Sequence, residues 1–454
     1  MAVNFAFGET PIRGVNAGGW LVLEPWITPS LFEEKPEWVI DEKTYGQYWR
    51  STNYTRGFDE LSTHWRRWIQ RADFQNMADL GLNTVRIPIG FWSVIPLEDS
   101  EPFMTGAFNY LRSAVQWAQD VGLNVIIDLH GVPEGQNGFD NSGQAGTIGW
   151  FSNPTSTTRS LEAISVLSSE FITSTYGQTV IAIELVNEAF PTNKEHIATL
   201  EQYYRDGYGE VRKFGDQPVV MLSEAYQSLG FWGGFMPQPQ YDKVALDVHI
   251  YGMFSNRLVS QGYSEHLKAY CSMGSDLLTS DWNLWTIVGE FTAAHTDCAP
   301  WLNGRNKGAR FDNTLDPKDP PEIASSCNGK SGAASGFGAD YILYLSQSFE
   351  TQTWIYEQAS GWVYWTWKTE QADDWDFQSG VTYGWIPQPL DAKPHGTPCN
   401  GTALVINRHQ PTRNSSKAVS SRRHILSSLW VATYVVCLYG CFAICPFVGN
   451  HVVL

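Results

Sequence analysis

"VIAIELVNE", residues 180–188, reads as a buried strand that carries two carboxylates. Side chains alternate across a strand. Ile181, Ile183 and Leu185 fall on one face; Ala182, Glu184, Val186 and Glu188 fall on the other. An ionised carboxylate is costly to bury unless it is paired or hydrogen-bonded. The acidic face therefore has to meet polar partners, while the aliphatic face packs on helices. Glu188, last in the run, belongs at a rim. Glu184 lies one layer deeper, where an Arg, His or Asn must hold it. Asn187 breaks the alternation, so the strand turns into its loop there.

Seven similar runs surround this one: "GVNAGGW" from Gly14, "NTVRIPI" from Asn83, "NVIIDLH" from Asn124, "PVVMLSE" from Pro218, "VALDVHIY" from Val244, "WTIVGEF" from Trp285 and "GWVYWTW" from Gly361. Several gaps between them carry helical periodicity. Residues 61–82 predict one helix stopped at Gly81, and residues 108–124 predict another stopped at Gly122. Strands alternating with helices mean a parallel sheet with crossovers. Eight units fit an α/β (β/α)8 TIM barrel with long βα-loop insertions. An open doubly wound sheet lacks support, because no strand leads into a phosphate-cradling G-x-G-x-x-G.

Barrels gather their chemistry where the strands end. The runs end on Arg86, Asp128 and His130, Asn187 and Glu188, His249 and Tyr251, Glu290, and Trp365. Two rim carboxylates, Glu188 and Glu290, suggest glycoside hydrolysis. In that chemistry a separation of about 5–5.5 Å gives retention and a wider one inversion. One carboxyl must hold a proton near neutrality while the other stays ionised. Tyr251 and Arg86 are candidates to keep Glu290 ionised, although Arg86 can equally pair with Glu184 or touch both. The Asn187 amide is placed to bind a sugar 2-hydroxyl.

Composition agrees with a large core. Of the 454 residues 43% are hydrophobic, and 20 Trp, 20 Tyr and 23 Phe supply rings for packing or for stacking on sugars. Residues 1–391 hold 24 Lys/Arg against 47 Asp/Glu, a formal charge of −23. That excludes nucleic acid as a partner, because nothing would neutralise phosphates. Cys271, Cys298, Cys327 and Cys399 have no C-x-x-C spacing, which argues against zinc. Their even number suits two disulfides and an oxidising compartment, with buried free thiols as the alternative. Sequons at Asn53, Asn400 and Asn414 point the same way. "MAVNFAFGET" has neither the basic start nor the apolar stretch of a signal peptide.

"RGVNAGGWLVLEPWITPSLF", "GLNTVRIPIGFW", "DLHGVPEGQNGFDNSG", "ELVNE", "HIYGMFS", "VGEF", "WLNGRNKGARFD" and "GWVYWTWKTE" together resemble the fungal exo-β-1,3-glucanases of glycoside hydrolase family five. The resemblance runs in order over residues 10–400. It implies a TIM barrel and a retaining mechanism with neither metal nor cofactor. It makes Glu188 the acid/base and Glu290 the nucleophile. Arg86, His130, Asn187, His249, Tyr251 and Trp365 become the shell around the reacting sugar. Glu24 and Asn141 would bind hydroxyls of the terminal glucose, and Phe139 and Phe254 would wall the next sugar. It also implies the pairs Cys271–Cys399 and Cys298–Cys327, which spacing alone leaves open among three pairings.

By the same resemblance the substrate is β-glucan of the fungal wall, cut to glucose from its non-reducing end, with transglycosylation when a second glucan replaces water. The protein is expected to be an extracellular or wall-bound monomer. Exo action needs loops that close the glucose site, and stretches 20–60 and 292–337 are long enough. Blander readings stand beside these. His130 and Trp365 could only pack the core, Phe139 and Phe254 could be loop hydrophobes, and Glu24 a solvated loop charge. The chain could also be a family-five glucanase for β-1,6 or β-1,4 links, or a glucan-binding scaffold without activity.

The expected domains are a catalytic unit over 1–400, a basic polar linker over 401–424 and a hydrophobic tail over 425–454. Residues 429–448 carry no charge and are long enough to span a bilayer. They read as a membrane anchor, as a GPI signal behind Ser420 or Ser421, or as translated intron.

Overall fold

The computed structural model describes residues 6–173, 175–396 and Cys399. The linker, the hydrophobic tail and the sequons at Asn400 and Asn414 lie outside the described residues. Among the described residues no helix is long and apolar enough to cross a membrane. The sequon residue Asn53 is exposed and caps the helix over Tyr54–Arg67, its Oδ1 accepting from the Arg56 N–H.

All eight runs are strands: β1 (Ile12–Asn16), β2 (Thr84–Gly90), β3 (Asn124–Gly131), β4 (Val180–Glu184), β5 (Val219–Ser223), β6 (Val244–Ile250), β7 (Trp285–Phe291) and β8 (Gly361–Tyr364). Each pairs in parallel with the next, and β8 pairs with β1 to close the barrel. Alternation then sorts the side chains. Ile126, Ala182, Met221, Ala245, Ile287 and Val363 form an apolar floor inside. The next inward residues along β3, β4 and β6 are Asp128, Glu184 and Asp247, and β2 contributes Arg86; all four are fully buried. Ile183, Leu185, Leu129 and Val288 face outward into the core shared with the helices.

Two expectations need correction. Ile181 does not pack on the helices: it joins the barrel floor. The β3–β4 register shifts there, Val125 facing Val180 and Ile126 facing Ala182, so Ile181 is an extra residue in a bulge and alternation restarts after it. The single helix expected over 61–82 is two, Tyr54–Arg67 and Arg71–Asp79. Gln70 between them is extended, and its N–H donates to Asp73 Oδ2 at 2.7 Å. That bond caps a new start and outweighs the continuous periodicity. The helix over Phe108–Val121 ends on Gly122 at φ +80°, as its sequence predicts.

Both disulfides form as the resemblance implies, Cys271–Cys399 and Cys298–Cys327. The second staples the long β7–β8 connection, where Cys298 and Cys327 pack against Trp26, Trp365 and Trp375. Arg305 ties this connection to the loop after β1, donating to the carbonyls of Phe32, Lys35, Pro36 and Val39.

Candidate active site

Arg86 answers the question that Glu184 raises. Its Nε donates to Glu184 Oε2 at 2.9 Å, and one Nη donates to Glu290 Oε1 at 3.0 Å. It also reaches Asn16 Oδ1 at 3.0 Å, Asn187 Oδ1 at 2.9 Å and Asp128 Oδ2 at 3.1 Å. One guanidinium thus sits among four buried carboxylates, counting Asp247 at 3.5 Å. A planar five-donor fork serves that arrangement better than a point charge.

Glu290 is carried inward by a bulge. From Ile287 on the floor, strict alternation would turn Glu290 outward. The β6–β7 register shifts between Val248 and His249, so His249 faces Glu290 and Gly289 is the extra residue. A Cβ at Gly289 would lie 2.0 Å from Asp247 Oδ1, so the position admits glycine alone. Gly289→Ala is expected to lower stability by roughly 1–3 kcal/mol through overpacking and to cut turnover by displacing Glu290. Thermal melting and kcat on a glucan check this; a variant unchanged in both would refute the role of the bulge.

Glu188 arrives from the other side. It follows β4 with φ +43°, in the left-handed region, where a non-glycine residue is strained. Its Oε1 is 2.8 Å from His249 Nδ1 and its Oε2 accepts from Asn141 Nδ2 at 2.9 Å. Glu290 Oε2 accepts from the Tyr251 hydroxyl at 2.8 Å and lies 3.4 Å from His249 Nδ1. One oxygen each of Glu188 and Glu290, with a His249 nitrogen, fall within 4.8 Å of one another.

Burial raises the Glu290 carboxyl above its ordinary value, against the opposing pull of His249 and Arg86. Burial would raise Glu188 as well, but the hydrogen bond and charge of His249, with Asn141, outweigh it and hold Glu188 at about 2. His249 would be lowered by burial, yet Glu290 and Asp247 raise it well above the histidine range. His249, which stands between the two acids, thus favours the charged form of Glu188 through the 2.8 Å contact at its Nδ1.

The pocket above encloses about 700 Å³ of empty space, part of it open to solvent. Of the residues expected here, Glu24, Phe139, Asn141, Glu188, Tyr251, Phe254, Glu290 and Trp365 line it. Arg86, His130, Asn187 and His249 lie behind this lining and hold it. His130 stacks on Trp365 with rings 7° from parallel, and its Nδ1 is 2.6 Å from Asp128 Oδ2. Glu24 is not a solvated charge: it is 4% exposed, and burial raises its carboxyl well above normal despite the bond from Trp26 Nε1 at 2.9 Å.

Other lining residues were not singled out by the sequence. Trp26 and Trp375 pack edge-to-face at 5.1 Å, and Trp375 leads on to Phe254. Tyr226 packs edge-on against Phe139 and Phe190. Asn303 and Arg310 come from the stapled β7–β8 connection, joined by an Nη–Oδ1 bond of 2.7 Å. Asp140 also lines the pocket, with burial and Asp41 pushing its carboxyl up to about 7. Asp247 could have been found: Asp247-x-His249 repeats the Asp128-x-His130 spacing of β3.

The cellulase family model, glycosyl hydrolase family 5, matches residues 49–307. A glucan 1,3-beta-glucosidase of Blumeria graminis is 40% identical over 88% of this chain and 92% of its own. Glucan 1,3-beta-glucosidase 2 of Wickerhamomyces anomalus is 38% identical over 86% of this chain and 90% of its own. Among solved structures, a rutinosidase from Aspergillus niger superposes with a TM-score of 0.66 at 18% identity, covering 85% of this chain and 99% of that one, which speaks for the fold alone. With a closed eight-stranded barrel, and with such identity over most of its length, the chain belongs to glycosyl hydrolase family 5.

Proposed function

We propose that the protein is a retaining exo-β-1,3-glucosidase that releases glucose from the non-reducing end of β-1,3-glucan. The observation that carries this is the meeting of Glu188 and Glu290 oxygens within 4.8 Å at one pocket, the spacing of retention rather than inversion. Glu290 attacks the anomeric carbon while Glu188 protonates the departing glycosidic oxygen. A glucosyl–enzyme forms; Glu188, now a base, takes a proton from water, which displaces Glu290 and leaves β-glucose. A glucan hydroxyl in place of water gives transglycosylation.

The acid's proton comes along the 2.8 Å bond from His249 Nδ1 to Glu188 Oε1. Seating a sugar expels water, and a drier site favours the neutral pair over the ion pair. Glu24 and Asn141 bind hydroxyls of the terminal glucose, while Asn187, behind the lining, holds Arg86 through its Oδ1 and not a sugar hydroxyl. Phe139 with Tyr226 and Phe254 with Trp375 supply the aromatic walls for the following sugar. Exo action follows from the loops: Glu24 and Trp26 come from one long stretch, Leu302, Asn303 and Arg310 from another, and Arg305 locks the two together.

The disulfides suit an oxidising, extracellular location, and we place the working enzyme there as a monomer. The decisive assay is a product profile on laminarin, pustulan and carboxymethylcellulose, with the anomer read by NMR. Glucose alone from laminarin, first appearing as the β-anomer, is expected. A ladder of oligosaccharides would overturn exo action, α-glucose would overturn retention, and faster release from another polymer would overturn the linkage.

A further inference from the structure

Beneath the two acids lies a carboxylate that the mechanism above leaves unused. Asp247 is fully buried, and among the described residues neither of its oxygens makes a hydrogen bond of ordinary length. Such a group is costly to maintain. The barrel nevertheless makes room for it, because the space beside its Oδ1 exists only where Gly289 lacks a Cβ. Asp247 Oδ2 stands 3.5 Å from His249 Nε2 and 3.5 Å from Arg86 Nε. Among the described residues Asp247 is what His249 Nε2 faces, with no closer hydrogen-bond partner, while Nδ1 is 2.8 Å from Glu188 Oε1. Asp247, His249 and Glu188 therefore form a line running from the buried layer to the pocket.

We propose that Asp247 is a positioning residue that keeps the proton on the His249–Glu188 couple, so that Glu188 can deliver it to the leaving group at neutral pH. This rests on the assignment of Glu188 as the acid. The imidazole has two faces, and a carboxylate at Nε2 favours keeping a proton on the ring while Nδ1 exchanges with Glu188. The charged groups facing His249 are Glu184 and Glu188 from β4 and its loop, Glu224 after β5, Asp247 and Tyr251 from its own strand and loop, and Glu290 from β7, with Arg86 of β2 next to them. The acids outnumber the one guanidinium, and they raise His249 well above the histidine range despite burial. Asp247 does not line the pocket and meets His249 Nε2 and Arg86 Nε only at 3.5 Å, so its charge can be removed without changing a surface that the substrate touches.

Asp247→Asn keeps the shape beside Gly289 and removes the charge. With less negative charge at Nε2 the couple loses its proton at lower pH. The alkaline limb of kcat/KM is therefore expected to fall by about one pH unit. At pH values above the parent's alkaline limb kcat/KM should drop about tenfold on an alkyl β-glucoside, whose leaving group needs protonation, and little on 2,4-dinitrophenyl β-glucoside, whose leaving group does not. A purely structural residue would weaken both substrates alike. An unmoved alkaline limb, or equal loss on the two substrates, overturns the proposal. If Asp247→Asn does not fold, Asp247→Ser carries the same comparison. Glu188→Ala measured alongside separates the two levels. If that variant shows no leaving-group dependence, the acid assignment itself has failed; if it does and Asp247→Asn does not, only the positioning role has.

Discussion

Glu290→Gln is expected to lower glucose release from laminarin by a factor on the order of 10^4 or more, with the fold intact. The amide has nearly the carboxylate's shape and still offers an oxygen to Arg86, which donates to Glu290 Oε1 at 3.0 Å. What it lacks is the nucleophilic charge. Because burial raises this carboxyl, the charge costs the folded state free energy, and its removal should leave the melting temperature unchanged or higher. The same loss should appear with 2,4-dinitrophenyl β-glucoside, since a good leaving group does not replace an attacking oxygen. A variant that keeps its rate on either substrate would remove Glu290 from the mechanism, and with it the geometric case for retention.

Glu188→Ala should behave differently, and the difference identifies the role. On laminarin kcat/KM is expected to fall by roughly 10^2–10^4, the usual worth of a positioned general acid. On the dinitrophenyl glucoside kcat/KM should stay within about tenfold of the parent, because the first step there needs no proton. The second step does need a base, so kcat falls and the glucosyl–enzyme accumulates. Azide, a nucleophile that needs no deprotonation, fits the space left by the side chain. It should restore turnover and give β-glucosyl azide. Equal losses on both substrates, or no response to azide, would assign Glu188 to structure. Loss of the carboxylate also leaves His249 between Glu290 at 3.4 Å and Asp247 at 3.5 Å, so the alkaline limb of the parent's pH profile, which reports the proton on the acid, should not survive in the variant.

Much of this protein is written in local patterns. Period-two alternation over eight runs, helical spacing between them and polar residues late in the strands lead to a closed parallel barrel with its chemistry at one mouth. Glu188 and Glu290 stand out in the sequence because a carboxylate at the end of a buried run needs a reason. Arg86 is legible for the same reason, and its two candidate partners turn out both to be bound. Spacing could not choose the disulfide pairing, which depends on which loops come together in space.

The tertiary structure decided what alternation cannot carry. An extra residue at Ile181 and another at Gly289 reset the in–out phase of β4 and β7, and only the second lets Glu290 face the pocket. A bulge is a property of register between two strands, and neither strand encodes it alone. The depth of Arg86, His130, Asn187 and His249 beneath the lining is likewise set by eight strands packed together. The sequence names two acids; that His249 lies between them, 2.8 Å from Glu188 and 3.4 Å from Glu290 with Asp247 at its other nitrogen, is decided by how β4, β6 and β7 pack.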